Sequence, residues 1–109
     1  MTARPVVPRE QALRDIDEAL AYYLTEGTPQ AALGFIDDLE RAYAHIGRHP
    51  DTGSSRVAHE LNLLGLRFRP LKRYPYLLFY VESTDHIDLW RVLHGKQDIP
   101  AWMQDPDVT

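Results

Sequence analysis

The chain contains no cysteine, so neither a disulfide framework nor a zinc site built from thiolates is available to it. No apolar run approaches the roughly 18 residues of a membrane-spanning helix. The stretch from Met1 to Pro8 also lacks the apolar core of a secretion signal. These absences fit a reducing compartment, and we expect a cytoplasmic protein.

Positive charge is in short supply, because 12 Lys and Arg residues face 16 Asp and Glu residues, for a formal net charge of −4. A general nucleic-acid binder normally presents a net basic surface, so the total argues against RNA or DNA as a direct partner. The charges are unevenly distributed along the chain. Acidic residues crowd the first half (Asp15, Asp17, Glu18, Asp37, Asp38 and Glu40), and basic residues mark the second (Arg67, Arg69, Lys72, Arg73 and Arg91). We therefore expect a molecule with an acidic side and a basic side.

Two stretches of the first half repeat apolar side chains at spacings of three and four. The first stretch has Leu13, Ile16, Leu20 and Tyr23 or Leu24, and the second has Ala32, Phe35, Leu39, Ala42 or Tyr43, and Ile46. The spacing predicts amphipathic helices over about Arg9 to Thr25 and from about Pro29 to Arg48. Gly27 suits a left-handed residue after the first helix, and Thr28 suits the cap of the second. The short break predicts an antiparallel helix hairpin.

The apolar period changes to two in the second half, which predicts three strands. The alternating stretches are Leu66 to Arg69, Tyr76 to Val81 and Ile87 to Val92. The polar break at 83–85 is of hairpin length, so we expect an antiparallel meander. Several strand residues are apolar on both faces. The helices are therefore expected to cover one face, while the other face is curved, partly filled or reserved for a partner.

Together these elements predict an α+β fold in one domain spanning residues 1–109. A short N-terminal strand holds Val6 and Val7. The helix hairpin and the three-stranded antiparallel meander follow. A short C-terminal helical tail is expected beyond Ile99.

Four stretches of the chain combine into a recognisable pattern. They are Asp15, Ile16, Tyr22, Tyr23 and Gly27 in the first helix; Ala32 and Phe35 in the second; His49-Pro50-Asp51-Thr52-Gly53 in the loop; and, in the meander, Gly65-Leu66-Arg67, Tyr74-Pro75-Tyr76, Phe79-Tyr80 and Arg91-Val92-Leu93-His94-Gly95 with Asp98. In this order they resemble the ParE branch of the RelE/ParE superfamily of toxins, and the resemblance extends from about Pro8 to Ile99.

The resemblance implies the toxin of a type II toxin-antitoxin system that binds and inhibits DNA gyrase. It also implies neutralisation by a ParD-like antitoxin, a ribbon-helix-helix dimer that binds DNA and wraps the toxin with its tail, so that the toxin meets DNA only indirectly. Two alternatives stay open. One is a RelE-like, ribosome-dependent mRNA endoribonuclease, and the other is an antitoxin-binding module without toxicity.

Five residues are candidates for partner contact: Arg67, Arg69, Arg91, His94 and Trp102. Arginine makes paired hydrogen bonds to carboxylates, and tryptophan is favoured in interfaces. Each candidate also has a plain structural interpretation. The arginines of the second strand suit a solvated strand face and Arg91 suits a cross-strand ion pair, while His94 suits a hydrogen bond to Asp98 or nearby backbone. Trp102 suits a docked tail.

No catalytic residue, metal site or cofactor is predicted. RNA cleavage needs cations at the scissile phosphate together with a placed base and acid, and no base is identifiable, Glu60 being the nearest carboxylate in sequence. His45 and His49 have the spacing of two metal ligands on one helix face, with Asp51 or His59 as a conceivable third. Histidines near a helix C-terminus are favoured by the helix dipole alone, and we prefer that interpretation.

Overall fold

The structure is a computed structural model that describes residues 3–56, 58 and 62–95. Its elements, in chain order, are β1 (Val6–Pro8), α1 (Glu10–Glu26), α2 (Pro29–Arg48), a 3-10 turn (Pro50–Thr52), β2 (Leu66–Pro70), β3 (Tyr76–Glu82) and β4 (Ile87–His94). The predicted α+β class, the order of the elements and the helix hairpin are confirmed. The predicted C-terminal helical tail lies outside the described residues. Within the described part of the chain, none of the helices has the length and apolarity needed to cross a membrane.

The helix hairpin turns at Gly27 and Thr28. Thr28 is extended, and its hydroxyl oxygen accepts a hydrogen bond from the Ala31 N–H at 3.1 Å, as expected of a helix cap. The expected left-handed conformation of Gly27 is wrong, because its φ is −117°. Glycine is needed there for space instead, since a Cβ would lie 2.8 Å from the Tyr23 carbonyl oxygen, which accepts the Gly27 N–H.

The four strands form one sheet in the order β1-β4-β3-β2. The meander β2-β3-β4 is antiparallel as predicted, and β1 adds in parallel to the outer side of β4. In the ladder between the last two strands, Phe79 pairs with Arg91 and Tyr80 pairs with Leu89, so Trp90 is an extra residue in β4. Such a bulge bends the strand and increases its twist, which changes the direction of the side chains that follow.

The outer edge of β2 is covered by the chain itself. Ser54 and Phe68 exchange two backbone hydrogen bonds of 2.9 and 3.0 Å, and the Leu66 N–H donates to the Leu63 carbonyl at 3.2 Å. Pro70 ends the strand and has no N–H to offer. The edge therefore presents few backbone groups for another strand to pair with.

The main core lies between the helices and one face of the sheet. Its fully buried large residues include Phe35 of α2, Leu78 and Tyr80 of β3, and Leu89 of β4. A second, smaller cluster lies on the opposite face of the sheet and includes Leu66, Phe68, Leu77, Phe79, Trp90 and Leu93. The expectation that both faces of the strands carry apolar contacts is confirmed.

The buried side of α1 differs from the predicted stripe at one end. Leu13 was expected in the core and is 49% exposed, whereas Ala12, Asp15 and Ala19 are buried. Alanine lets the helix axis approach the sheet closely, and the inward position of Asp15 requires a partner below it. The helix is therefore turned toward its small residues and its carboxylate, and away from the larger leucine.

The buried hydroxyl of Tyr80 generates the first prediction. It donates to the Pro50 carbonyl at 2.7 Å, and the residue has 0% exposure. Tyr80→Phe leaves that carbonyl without its donor, so we expect a loss of about 1–2 kcal/mol in the free energy of unfolding, measured with urea. Tyr22→Phe removes the same group from a side chain that is 57% exposed, and should change stability by less than about 0.5 kcal/mol. Equal effects of the two variants would contradict the assignment.

Candidate partner-binding surface

A buried ion pair joins α1 to β4. The Arg91 guanidinium donates to both carboxylate oxygens of Asp15, from Nε at 2.6 Å and from Nη2 at 2.8 Å. The Val92 N–H donates to the same carboxylate at 3.0 Å. The two side chains are 8% and 16% exposed, for Asp15 and Arg91 respectively. Arg91 is expected to contact a partner or to form a cross-strand ion pair; the ion pair that the structure shows is with a helix, and the partner contact stays a prediction.

An open cleft of about 570 Å³ lies beside this pair. We call it the aromatic cleft, and it is lined by Asp15, Glu18, Ala19, Tyr22, Tyr23, Pro75, Tyr76, Arg91, Val92, Leu93 and His94. The rings of Tyr76 and His94 meet edge to face, with centroids 5.3 Å apart. Tyr22 and Tyr23 pack in the same way at 5.4 Å. Amphipathic rings of this kind give a partner apolar area together with hydrogen-bonding groups.

Tyr23 and Tyr76 of the aromatic cleft stay protonated well above neutral pH. Burial, with smaller contributions from neighbouring tyrosines, raises the pKa of Tyr23 to about 12. Burial also raises the pKa of Tyr76. Their hydroxyl groups are therefore hydrogen-bond donors as well as acceptors at any physiological pH. They are not candidates for a general base.

The predicted partner-binding residues fall in separate places. Arg91 and His94 share the aromatic cleft. Arg67 and Arg69 lie on β2, which β3 separates from β4. Arg67 is half-buried, and its Nη1 donates to the Gly53 carbonyl at 2.9 Å. Trp102, like the Asp98 expected to bond His94, lies outside the described residues.

Arg69 lines a second depression, between α2 and the turn that follows β2. We call it the basic groove; its volume is about 150 Å³ and its lining comprises Asp38, Arg41, Ala42, His45, Arg69, Pro70, Lys72 and Arg73. The expected division into an acidic and a basic side is therefore wrong in part. Asp15 and Asp38 are buried and bind groups from the second half of the chain, so they do not belong to an acidic surface.

His45 of α2 and His49, the residue after the helix, lie close together without a third ligand in the described part of the chain. Their ring centroids are 5.3 Å apart, and His45 Nε2 is 3.4 Å from the Thr52 hydroxyl. Among residues 3–56, 58 and 62–95, no group of three His, Asp or Glu side chains is placed to hold a metal ion. His59, one of the conceivable third ligands, lies outside those residues.

Sequence reasoning missed the roles of Asp15 and Asp38 and the convergence of the cleft tyrosines. A usable signal existed for Asp15, because it falls on the same helical stripe as Ala12 and Ala19. A carboxylate on a stripe that is to be buried needs a cationic or N–H partner. Arg91, embedded in the apolar run of β4, is the matching signal. Nothing local shows that Tyr22, Tyr76 and His94 meet.

The buried pair generates the second prediction. Asp15→Ala leaves the Arg91 guanidinium without its buried counter-ion, so we expect a loss of about 3 kcal/mol in the free energy of unfolding, measured with urea. Asp17→Ala removes the same group from an exposed position of the same helix, and should cost less than about 0.5 kcal/mol. A loss below about 1 kcal/mol for Asp15→Ala would contradict the role assigned to the pair.

Comparison with known proteins agrees with the fold and with the sequence resemblance. Among solved structures, one chain of the "Chromosomal ParDE TA system from P. aeruginosa" is similar, with a TM-score of 0.68 and 18% sequence identity over 84% of this chain and 96% of that chain. That likeness is one of fold. No curated protein matches the chain. A sequence model of the family described as "ParE toxin of type II toxin-antitoxin system, parDE" matches residues 6–99, which is most of the 109 residues, and the chain accordingly belongs to this family of ParE toxins.

Proposed function

We propose that this ParE toxin binds and inhibits DNA gyrase without catalysing a reaction, and that a ParD-like ribbon-helix-helix antitoxin neutralises it. The antitoxin tail covers the aromatic cleft, and gyrase binds an overlapping surface. DNA is then met only through the antitoxin or the target. Because gyrase is a cytoplasmic enzyme, the proposal places the action of the toxin in the cytoplasm.

The observation that supports action without catalysis is the ion pair that Arg91 forms with Asp15. A ribonuclease of this fold class needs cations that are directed at a scissile phosphate. The Arg91 guanidinium is instead bound through two nitrogens to Asp15, and Arg67 donates to the Gly53 carbonyl. Redirecting Arg91 to a phosphate would leave a buried carboxylate without its counter-ion, which is costly. Both arginines thus have acceptors within the chain.

The chemistry of the aromatic cleft supports a polypeptide as its occupant. Tyr22 is largely exposed at the rim, Tyr76 and His94 form the opposite wall, and the Glu18 side chain adds a carboxylate. Tyrosines are enriched among the residues that contribute most to protein–protein affinity. Four or five apolar anchors on a tail, at ~1.5–3 kcal/mol each, give roughly 6–15 kcal/mol before the cost of ordering is subtracted. The proposed partner contacts remain Arg67, Arg69, Arg91, His94 and Trp102.

The third prediction separates gyrase inhibition from RNA cleavage. Purified toxin added to gyrase and relaxed plasmid should block supercoiling or raise the fraction of cleaved DNA. The same preparation added to a translation reaction should leave the message intact. Truncated messages together with unaffected gyrase would overturn the proposal in favour of the ribonuclease. No effect in either assay, with no growth arrest on expression, would indicate a binding module without toxicity.

The fourth prediction tests the aromatic cleft. Tyr22→Ala removes an exposed ring from its rim, so the affinity for the proposed antitoxin should fall about tenfold, measured by calorimetry. Leu64→Ala removes a side chain that is 94% exposed on the loop before β2, outside the cleft, and should leave that affinity unchanged. Equal affinities of the two variants would contradict the proposal that the antitoxin binds in the aromatic cleft.

A further inference from the structure

The basic groove lies between one stripe of α2 and the turn between β2 and β3. The helix contributes Asp38, Arg41, Ala42 and His45, which are spaced by three and four residues and so share one face. Facing them are Arg69 and Pro70 at the end of β2, and Lys72 and Arg73 in the turn. Four residues with permanent positive charge and one histidine thus line a depression of about 150 Å³, in a chain whose formal net charge is −4.

Hydrogen bonds hold the two walls of the basic groove in place. One oxygen of the Asp38 carboxylate accepts the Arg73 N–H at 2.8 Å and the Tyr74 N–H at 3.2 Å. The Tyr74 hydroxyl donates to the Ala31 carbonyl at 2.7 Å. Gly34 makes room for it, because a Cβ there would collide with that hydroxyl. The turn is therefore fixed to α2 before any ligand binds, and a preformed site loses less entropy on binding.

The cations of the basic groove act on one another through space. Partial burial lowers the pKa of His45, and Arg69, His49 and Lys72 lower it further through their charges. The groups around His45 come from every neighbouring element: Asp38 and Arg41 on α2, His49 directly after that helix, Thr52 in the 3-10 turn, Arg69 on β2, and Lys72 and Arg73 in the turn after it. Arg41 also contacts Asp37 at 3.2 Å, on the exposed side of the helix. The groove thus has a positive local potential.

We propose that the basic groove binds carboxylate side chains of an acidic peptide segment in a protein partner. The inference deepens the proposed function, on which it rests, by assigning a docking place on the toxin to a carboxylate-bearing segment of the antitoxin. Guanidinium groups pair with carboxylates through two parallel hydrogen bonds, and Arg69 and Arg73 stand at the groove with Lys72 between them in sequence. Asp38 acts as a positioning residue, because its carboxylate fixes the turn.

A peptide fits the basic groove better than a nucleic acid does. Duplex DNA carries one negative charge per about 1.7 Å of its axis, so it needs a positive surface of some length. The groove is local, and the Asp37 carboxylate contacts Arg41, one of its lining residues, at 3.2 Å. This carboxylate would repel a neighbouring phosphate chain. A peptide can place one or two carboxylates in the groove and neutral residues elsewhere.

The test uses isotope-labelled toxin and hexaglutamate peptide, and it needs neither antitoxin nor gyrase. We expect hexaglutamate to shift the amide resonances of residues 41–45, 69 and 71–73, and to raise the pKa of His45 because a bound anion favours its protonated form. Binding should be lost near 1 M salt, where the screening length falls to about 3 Å. Shifts confined to other parts of the chain, or none at millimolar peptide, would overturn the inference.

A charge-matched pair of variants completes the experiment. Lys72→Glu with Arg73→Glu reverses two exposed charges of the groove, and we expect about a three- to tenfold loss of hexaglutamate affinity. Arg14→Glu with Arg48→Glu makes the same change in net charge at exposed positions outside the groove, and should retain most of the affinity. Equal losses would show a nonspecific charge effect and overturn the inference.

A 20-base-pair DNA duplex forms the last arm of the test. If the duplex shifts the same amides at a tenfold lower concentration than hexaglutamate, the groove is a nucleic-acid site and the inference is overturned. The outcome is separate from that of the proposed function. If the toxin inhibits gyrase and fails to bind hexaglutamate, only the carboxylate-binding role of the basic groove is refuted. If it binds hexaglutamate and leaves gyrase active, only the assignment of gyrase as the target is refuted.

Discussion

The carboxylate of Asp15 connects the helical layer to the sheet, and the geometry around it depends on that contact. A buried charge is tolerated only when its hydrogen-bonding capacity is satisfied, and three donors from Arg91 and Val92 meet that requirement. The contact sets the rotation of α1 about its own axis. It brings Ala12 and Ala19 against the sheet and turns Leu13 outward. It also places Tyr22, seven positions further along the helix, at the rim of the aromatic cleft.

A second buried carboxylate, that of Asp38, fixes the orientation of α2 in the same way. Asp38 binds the backbone of the turn at Arg73 and Tyr74 rather than a cationic side chain. Each helix of the hairpin therefore carries one acidic residue that holds a distant part of the sheet. Because these contacts are directional, they specify which face of each helix is buried, a choice that apolar contacts alone leave less well defined.

The secondary structure could be predicted because its signals are local. Helical spacing, strand alternation, Thr28 with Pro29, and the polar break after β3 each occupy a few consecutive residues. The failures concern relations between distant residues. Hydrophobicity favours Leu13 over Ala12 as a core residue, and only the partner of Asp15, 76 residues away, decides otherwise. The left-handed conformation expected of Gly27 rests on the usual role of glycine after a helix, whereas the structure requires glycine there because the Tyr23 carbonyl leaves no room for a Cβ.

The candidate surfaces were predictable only as residue types. The sequence predicts the arginines and His94 as contact residues, which stays a prediction, but their separation into two sites follows from the strand order, in which β3 lies between β2 and β4. No periodicity in the strands reveals that order. The basic groove combines a helix stripe with a turn. The sequence therefore shows an excess of basic residues in the second half of the chain, but it does not show where they come together.

The covered outer edge of β2 bears on how selectively the toxin chooses among related partners. A strand that pairs with an edge binds mainly through backbone groups, which are the same in every sequence. Here Ser54 and Leu63 already occupy that edge, and Pro70 offers no N–H. Recognition at this side must then proceed through side chains. Because side chains differ from one sequence to another, contacts of this kind discriminate between related partners in a way that backbone pairing does not.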